Sequence, residues 1–239
     1  MIDLKDMDII IPVRDGDDNE SLRYCLRSIE KNMPHRNIII AGYKPEWLHN
    51  VKYVETVHNQ PNKYMRVSFN IMTAAGHEDA SESVILFNDD MFALDEIKDV
   101  PAFHRGPMSR MIAEGMESAP IQRESMIMTR DALLSFGIEE PMNYELHAPM
   151  VINTHVLLIL DAVLKSRGLD RHPIQLRSLY GNMHHIGGAE SVDVKLHDQT
   201  SFNYREDFPF ISTTDKSFDH GLAGEEIRAR FPVKSKYEL

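Results

Sequence analysis

The chain has 239 residues, 42% hydrophobic and 26% charged, enough to bury a full core and unlike a disordered or fibrous composition. No apolar run approaches the roughly 20 residues of a membrane span, and MIDLKDMDIII lacks a basic segment leading into a long apolar one, so neither a span nor a secretory signal is expected. The net charge of −11 opposes a broad grip on nucleic-acid backbone, although Arg105, Arg110 and Arg123 fall in one polar region, and the single Cys25 excludes an internal disulfide and fits a reducing cytoplasm.

MDIIIPV (7–13) is a continuous apolar run bounded by charge, the pattern of a strand buried on both faces. It breaks at Pro12 and enters the polar loop RDGDDNE, where Asp18 or Asn19 is placed to cap a helix. In that helix Leu22, Cys25, Leu26 and Ile29 follow i, i+3, i+4, i+7, so Cys25 is expected in the core and not as a nucleophile. NIIIAG (37–42), VKYVETV (51–57) and SVILF (83–87) read as strands, with a helix around 63–75. This rhythm predicts an α/β fold: a mostly parallel central sheet flanked by helices. Residues 1–100 form its nucleotide-binding half, and 101–239 an irregular α+β half of the same domain that closes the site. Within that half, VINTHVLLILDAVLKSR (151–167) is expected to be one helix. Its buried stripe would be Ile152, Val156, Ile159 and Val163, with His155 packed near them and Gly168 as C-cap. Residues 170–239 read as loops and short strands with a terminal helix at 222–230.

Two strands end in acidic clusters: Arg14-Asp15-Gly16-Asp17-Asp18 after the first, and Asn88-Asp89-Asp90 after the fourth. In open α/β sheets ligands lie beyond the carboxyl ends of the strands, and crowded carboxylates there call for a cation. Hard oxygen ligands favour Mg²⁺ or Mn²⁺, which bind one or two carboxylates together with phosphate oxygens. Two polar turns, each with a helix cap, explain the same residues without a ligand. Neither a P-loop nor a G-x-G-x-x-G fingerprint is present, so a pyrophosphate would be held by metal, Arg or Lys, or a helix N-terminus. Arg14 is placed for this, and Lys63 is a second option that reads equally as a solvated surface group. In YELHAPMV, His147 with nearby Glu145 has the makings of a general base, or of a structural turn. YGNMHHIGG holds His184 and His185 in a glycine-rich loop where one of them would complete a metal's coordination; a zinc site with His197 is conceivable but not indicated by spacing. Arg177 is a potential phosphate fork.

DIIIPVRDGDDNESLRYCLRSIE resembles the opening of GT-A glycosyltransferases, and more closely that of the Stealth group of sugar-phosphate transferases, with D-G-S-D followed by L-R-S-I-E. Here those blocks are Asp15-Gly16-Asp17-Asp18 and Leu26-Arg27-Ser28-Ile29-Glu30; PEWL (45–48), FNDDMF (87–92) and His147-Ala148-Pro149 also resemble Stealth sequences. The tail FISTTDKSFDHGLAGEEIRARFP resembles short bacterial and phage transferases. The resemblance implies a GT-A-like fold, a nucleotide-sugar donor and Mn²⁺ or Mg²⁺ at Asp89 and Asp90. On a glycosyltransferase reading, donor contacts are expected from Pro12, Arg14, Asp15, Asp17, Lys63 and Asn88, and catalysis by His147 or Glu145 with Arg177 sharing the diphosphate charge. The acceptor would be a glycan hydroxyl or a hydroxylated nucleobase in DNA. Departures from the Stealth pattern, including the shorter chain and Val13-Arg14 before D-G-D-D, leave open whether a glycosyl group or a sugar-1-phosphate moves. A non-catalytic sugar-nucleotide or glycan binding module is the alternative from another class.

Overall fold

The computed structural model describes residues 3–16, 18–57, 60–115 and 119–239. Asp17, one of the expected donor contacts, lies outside the described residues. The first half runs β1 (Asp8–Val13), α1 (Glu20–Asn32), β2 (Ile38–Gly42), β3 (Lys52–Glu55), α2 (Lys63–Ala75), β4 (Ser83–Leu86) and the short β5 (Met91–Ala93). The second half contains β6 (Phe103–His104), α3 (Met108–Ala113), α4 (Pro120–Ser135), β7 (Met150–Asn153), α5 (Thr154–Ser166) and α6 (Leu176–Met183). It ends in β8 (Ala189–Glu190), β9 (Lys195–Leu196), β10 (Phe210–Thr213), α7 (Asp215–Asp219) and α8 (Leu222–Arg230).

The central sheet has the order β3-β2-β1-β4-β7, parallel except for β7, as the alternation of strands and helices predicts. Side chains alternate across β1, and both faces are covered. Ile9, Ile11 and Val13 pack with Leu22, Cys25, Leu26 and Ile29 of α1, while Ile10 joins Ile39, Leu86 and Leu157 on the opposite side. Cys25 is fully buried, as its helical spacing requires. At the amino ends of the strands, buried Asp8 accepts from Asn37 Nδ2 at 2.8 Å and from the Ser81 N–H at 2.9 Å, tying β1 to the start of β4. The helices expected around 63–75 and at 222–230 are α2 and α8.

The segment 151–167 is not one helix. Met150-Val151-Ile152-Asn153 is extended and pairs antiparallel with β4, Val84 facing Ile152 and Ile85 facing Val151. Its β-branched residues suit that edge position, and the Asn153 side chain then caps α5 by accepting the Val156 N–H at 3.0 Å. The later start rotates the buried stripe to Leu157, Leu160 and Leu164, leaves Ile159 63% exposed, and turns His155 to solvent rather than into packing. Gly168 follows the helix with φ 68°, the left-handed stop its position suggested. The run YGNMHHIGG is only partly loop, because Tyr180 to Met183 complete α6.

A second, three-stranded sheet joins the halves. β10 lies antiparallel to β5, with Ile211 opposite Phe92, and parallel to β9. Among the described residues no helix is long and apolar enough to cross a membrane.

Candidate active site

Strands β1, β2 and β3 run to one side of the sheet, and β4 is placed on the other side of β1. The crevice between the carboxyl ends of β1 and β4 is therefore the topological switch point. Pairing of β1 with β4 stops at Ile10 and Leu86, followed by the Phe87 N–H on the Ile10 carbonyl at 2.9 Å. Pro12, two residues on, faces that same side, so its missing N–H falls where β4 has turned away. The sequence Asn88-Asp89-Asp90-Met91 is a tight turn: the Asn88 carbonyl accepts the Met91 N–H at 3.2 Å and the Cys25 thiol at 3.4 Å. Met91 and Phe92 then re-enter the core, fully buried, with the Phe92 ring stacked 5.7 Å from that of Phe218. Two apolar anchors thus hold two carboxylates at the crevice.

The carboxylates are unequal. Asp90 Oδ2 receives the Lys195 ammonium at 2.8 Å, and Asp90 Oδ1 is buried with no partner among the described residues. Among the described residues Asp89 has no such pair; burial, then the neighbouring Asp90 charge, push its carboxyl up from 3.8 to about 7, against the pull of Arg14. Arg14, exposed at the end of β1, is ion-paired with Asp215 at the first turn of α7. Its guanidinium is held in the charged form by Asp215 and by the fields of Asp89 and Asp90. Asp15 is exposed in the same loop. Beside Asp90, whose carbonyl accepts the Thr213 N–H at 3.0 Å, the hydroxyls of Ser212 and Thr213 are buried without partners among the described residues.

From Lys195 a polar chain runs into the second half. Asp193, two residues before it on the same side of the segment, accepts the His147 N–H at 3.0 Å and stands 2.7 Å from His147 Nδ1. Burial works to raise the Asp193 pKa, but the hydrogen bond and charge of His147 prevail and hold it at about 2. An ionised carboxylate only accepts, so in the neutral imidazole Nδ1 carries the proton and Nε2 presents its lone pair. Glu145 is committed differently: its Oε1 accepts the Ser178 N–H at 3.0 Å and the Ser178 hydroxyl at 3.2 Å in the first turn of α6. Arg177 is 7% exposed and donates to the Ala148 carbonyl at 2.6 Å.

The remaining predicted residues are dispersed. Lys63 is exposed at the start of α2, its ammonium 5.2 Å from the Tyr64 ring centre. His184 and His185 are exposed after α6. Among the described residues no three His, Cys, Asp or Glu side chains meet closely enough to hold a metal, so neither histidine joins the aspartates in such a group, and no three-histidine site with His197 forms. Sequence reading passed over Lys195, Asp193 and Asp215. The first two had a signal, since V-D-V-K-L (192–196) alternates apolar and polar with period two. Asp215 had none, because its partner is 201 positions away.

No protein-family model matches the chain, and no curated protein matches it in sequence. Solved structures do match in three dimensions. The galactosyltransferase LgtC in complex with donor and acceptor sugar analogues aligns with a TM-score of 0.51 at 11% identity, over 96% of this chain and 98% of that one. An active-site variant of LgtC aligns at 0.48 and 10% identity, over 94% and 95%. Together with the mostly parallel sheet, the first of these defines the fold as GT-A-like.

Proposed function

We propose that the chain is a divalent-cation-assisted glycosyltransferase that moves a sugar from a nucleoside-diphosphate sugar to a hydroxyl acceptor. The observation that carries this reading is the Asp89–Asp90 pair at the switch point of a GT-A-like sheet, with one buried Asp90 oxygen unpartnered. The GT-A-like fold shared with a galactosyltransferase supports it. Two hard oxygen donors beside an orphaned lone pair fit Mn²⁺ or Mg²⁺, which complete their shells with phosphate oxygens. When bound, such an ion acts as a Lewis acid on the departing diphosphate.

The chain's own residues supply the rest. Arg14 and Lys195 bring cationic charge to the crevice from two sides, each now held by a carboxylate, Asp215 or Asp90. They are the groups to receive the diphosphate as the bond from anomeric carbon to phosphate oxygen breaks. His147 Nε2 takes the proton of the acceptor hydroxyl as its oxygen bonds to that carbon, and Asp193 fixes the ring's tautomer. Asp15, after β1, and Asn88, after β4, flank the nucleoside side. The acceptor is a glycan or other small hydroxyl compound; a flipped-out hydroxylated base needs only a local patch.

Product analysis with a panel of nucleotide sugars, with and without Mn²⁺, tests this. Release of nucleoside diphosphate that disappears in Asp90→Ala is expected. The Stealth-like blocks L-R-S-I-E and F-N-D-D-M-F favour a second reading, sugar-1-phosphate transfer, which releases nucleoside monophosphate instead. Donor binding with no turnover across a broad acceptor panel points to a binding module.

A further inference from the structure

A cleft of about 360 Å³ lies along the outer edge of β7, and neither Asp89 nor Asp90 lines it. Its volume is at the low end of the roughly 300–1,000 Å³ of small-molecule sites. Phe103, Leu146, Met150 and Ile186 give it an apolar wall, and Tyr180 with exposed His184 an aromatic one. Among the described residues one strongly charged group lines it: Arg177, more than nine-tenths buried.

Arg177 is incompletely paired. Nη1 is bonded to the Ala148 carbonyl, while Nη2 is buried with no partner among the described residues. Three carboxylates act on its charge, those of Glu145, Asp193 and Asp90, but each is committed elsewhere. Glu145 is bonded to Ser178, Asp193 to His147, and Asp90 to Lys195. A buried guanidinium without a facing carboxylate is costly, and a ligand anion is the group that offsets that cost most, through charge-assisted hydrogen bonds. Ala148, whose carbonyl anchors Arg177, directly follows His147, so the charged part of the cleft adjoins the proposed base.

We propose that this cleft is the acceptor subsite, and that it selects an acceptor carrying a carboxylate or phosphate on an apolar or aromatic body, the anion bound by Arg177. The word acceptor rests on the transferase reading above; the binding does not. Isothermal titration of the full chain with phenyl phosphate, benzoate, inorganic phosphate and neutral benzyl alcohol tests it. At least one aryl anion binds about 10-fold or more tighter than benzyl alcohol, and Arg177→Gln weakens it about 10- to 100-fold. His184→Trp, a change at an exposed position that narrows the cleft and spares Arg177, weakens it as well. Preference for phenyl phosphate identifies a phosphate-bearing acceptor, and preference for benzoate a carboxylate. Inorganic phosphate binding as tightly as phenyl phosphate, or aryl-anion binding indifferent to both variants, overturns the proposal. Anion binding as described without donor turnover leaves the subsite standing and removes the transferase reading. Turnover onto neutral acceptors at a rate unchanged by Arg177→Gln does the reverse.

Discussion

Replacing Asp89 by Asn removes a charge that the metal-free fold holds at a disadvantage. Burial and the adjacent Asp90 raise the Asp89 carboxyl from 3.8 to about 7. The folded protein therefore binds a proton that the unfolded chain has released, and stability falls as pH rises from about 4 to 7. The full shift corresponds to about 4 kcal/mol. Asp89 is only partly buried, so solvent screening leaves roughly half of that, about 2 kcal/mol. Asn has the shape of the protonated acid and no charge to lose. Asp89→Asn in chelator-treated protein should thus be more stable than wild type at pH 8 by about 2 kcal/mol, a rise of roughly 4–8 °C in Tm. The difference should vanish at pH 4, and Mn²⁺ should narrow it at pH 8 by stabilising the wild-type carboxylates. Thermal melts of both proteins at four pH values are sufficient. A variant that is less stable at pH 8, or a gap that does not change between pH 4 and 8, refutes the argument from burial and mutual repulsion.

Asp193 has the opposite sign. Its carboxyl is held at about 2, so its contribution is present above pH 4 and is lost as pH falls from about 4 to 2. Asp193→Asn should lower turnover by about 10²-fold with little change in donor KM, because His147 loses its fixed tautomer, and its stability gap from wild type, followed by denaturant midpoint, should close on acidification. Gly42 has φ 110°, and a Cβ there would collide with the Val13 carbonyl and stand 2.7 Å from Asn70 Nδ2. Gly42→Ala should cost about 3 kcal/mol in a urea titration, from strain and crowding beside the site. Arg27 forks onto Glu238 with both bonds at 2.7 Å, and the Glu238 side chain is fully buried. Arg27→Met should cost about 1.5–3 kcal/mol at pH 7 in the same titration, because Arg23 at 3.6 Å and Ser235 remain on the Glu238 carboxylate, and the loss should shrink as acid protonates Glu238.

The sequence by itself determined the elements of the first half and where its paired carboxylates emerge. Short β-branched runs such as Ile9-Ile10-Ile11 admit little besides a buried strand, and the heptad-like spacing of Leu22, Cys25, Leu26 and Ile29 admits little besides an amphipathic helix. Local periodicity is enough there, because most of these elements meet partners within the same half, β1 with β2 and β4, and β2 with β3. Asn88-Asp89-Asp90 between Phe87 and Met91 was legible for the same reason: apolar anchors on both sides fix where the carboxylates emerge.

Beyond α8 and the Gly168 stop, tertiary structure decided most of the second half. Met150 to Asn153 continue the apolar pattern of the helix after them, and only the open edge of β4 makes them a strand. Glu145 and His147, two residues apart, look interchangeable as bases; Ser178 takes one and Asp193 the other. Arg177 reads as one more phosphate fork, and only burial behind Ala148 with an unpartnered nitrogen sets it apart. Lys195 on Asp90 and Asp215 on Arg14 span 105 and 201 positions. Such pairs leave no periodic trace, because an ion pair needs only that two points of the folded chain meet, whereas a helix or strand repeats its requirement at every turn.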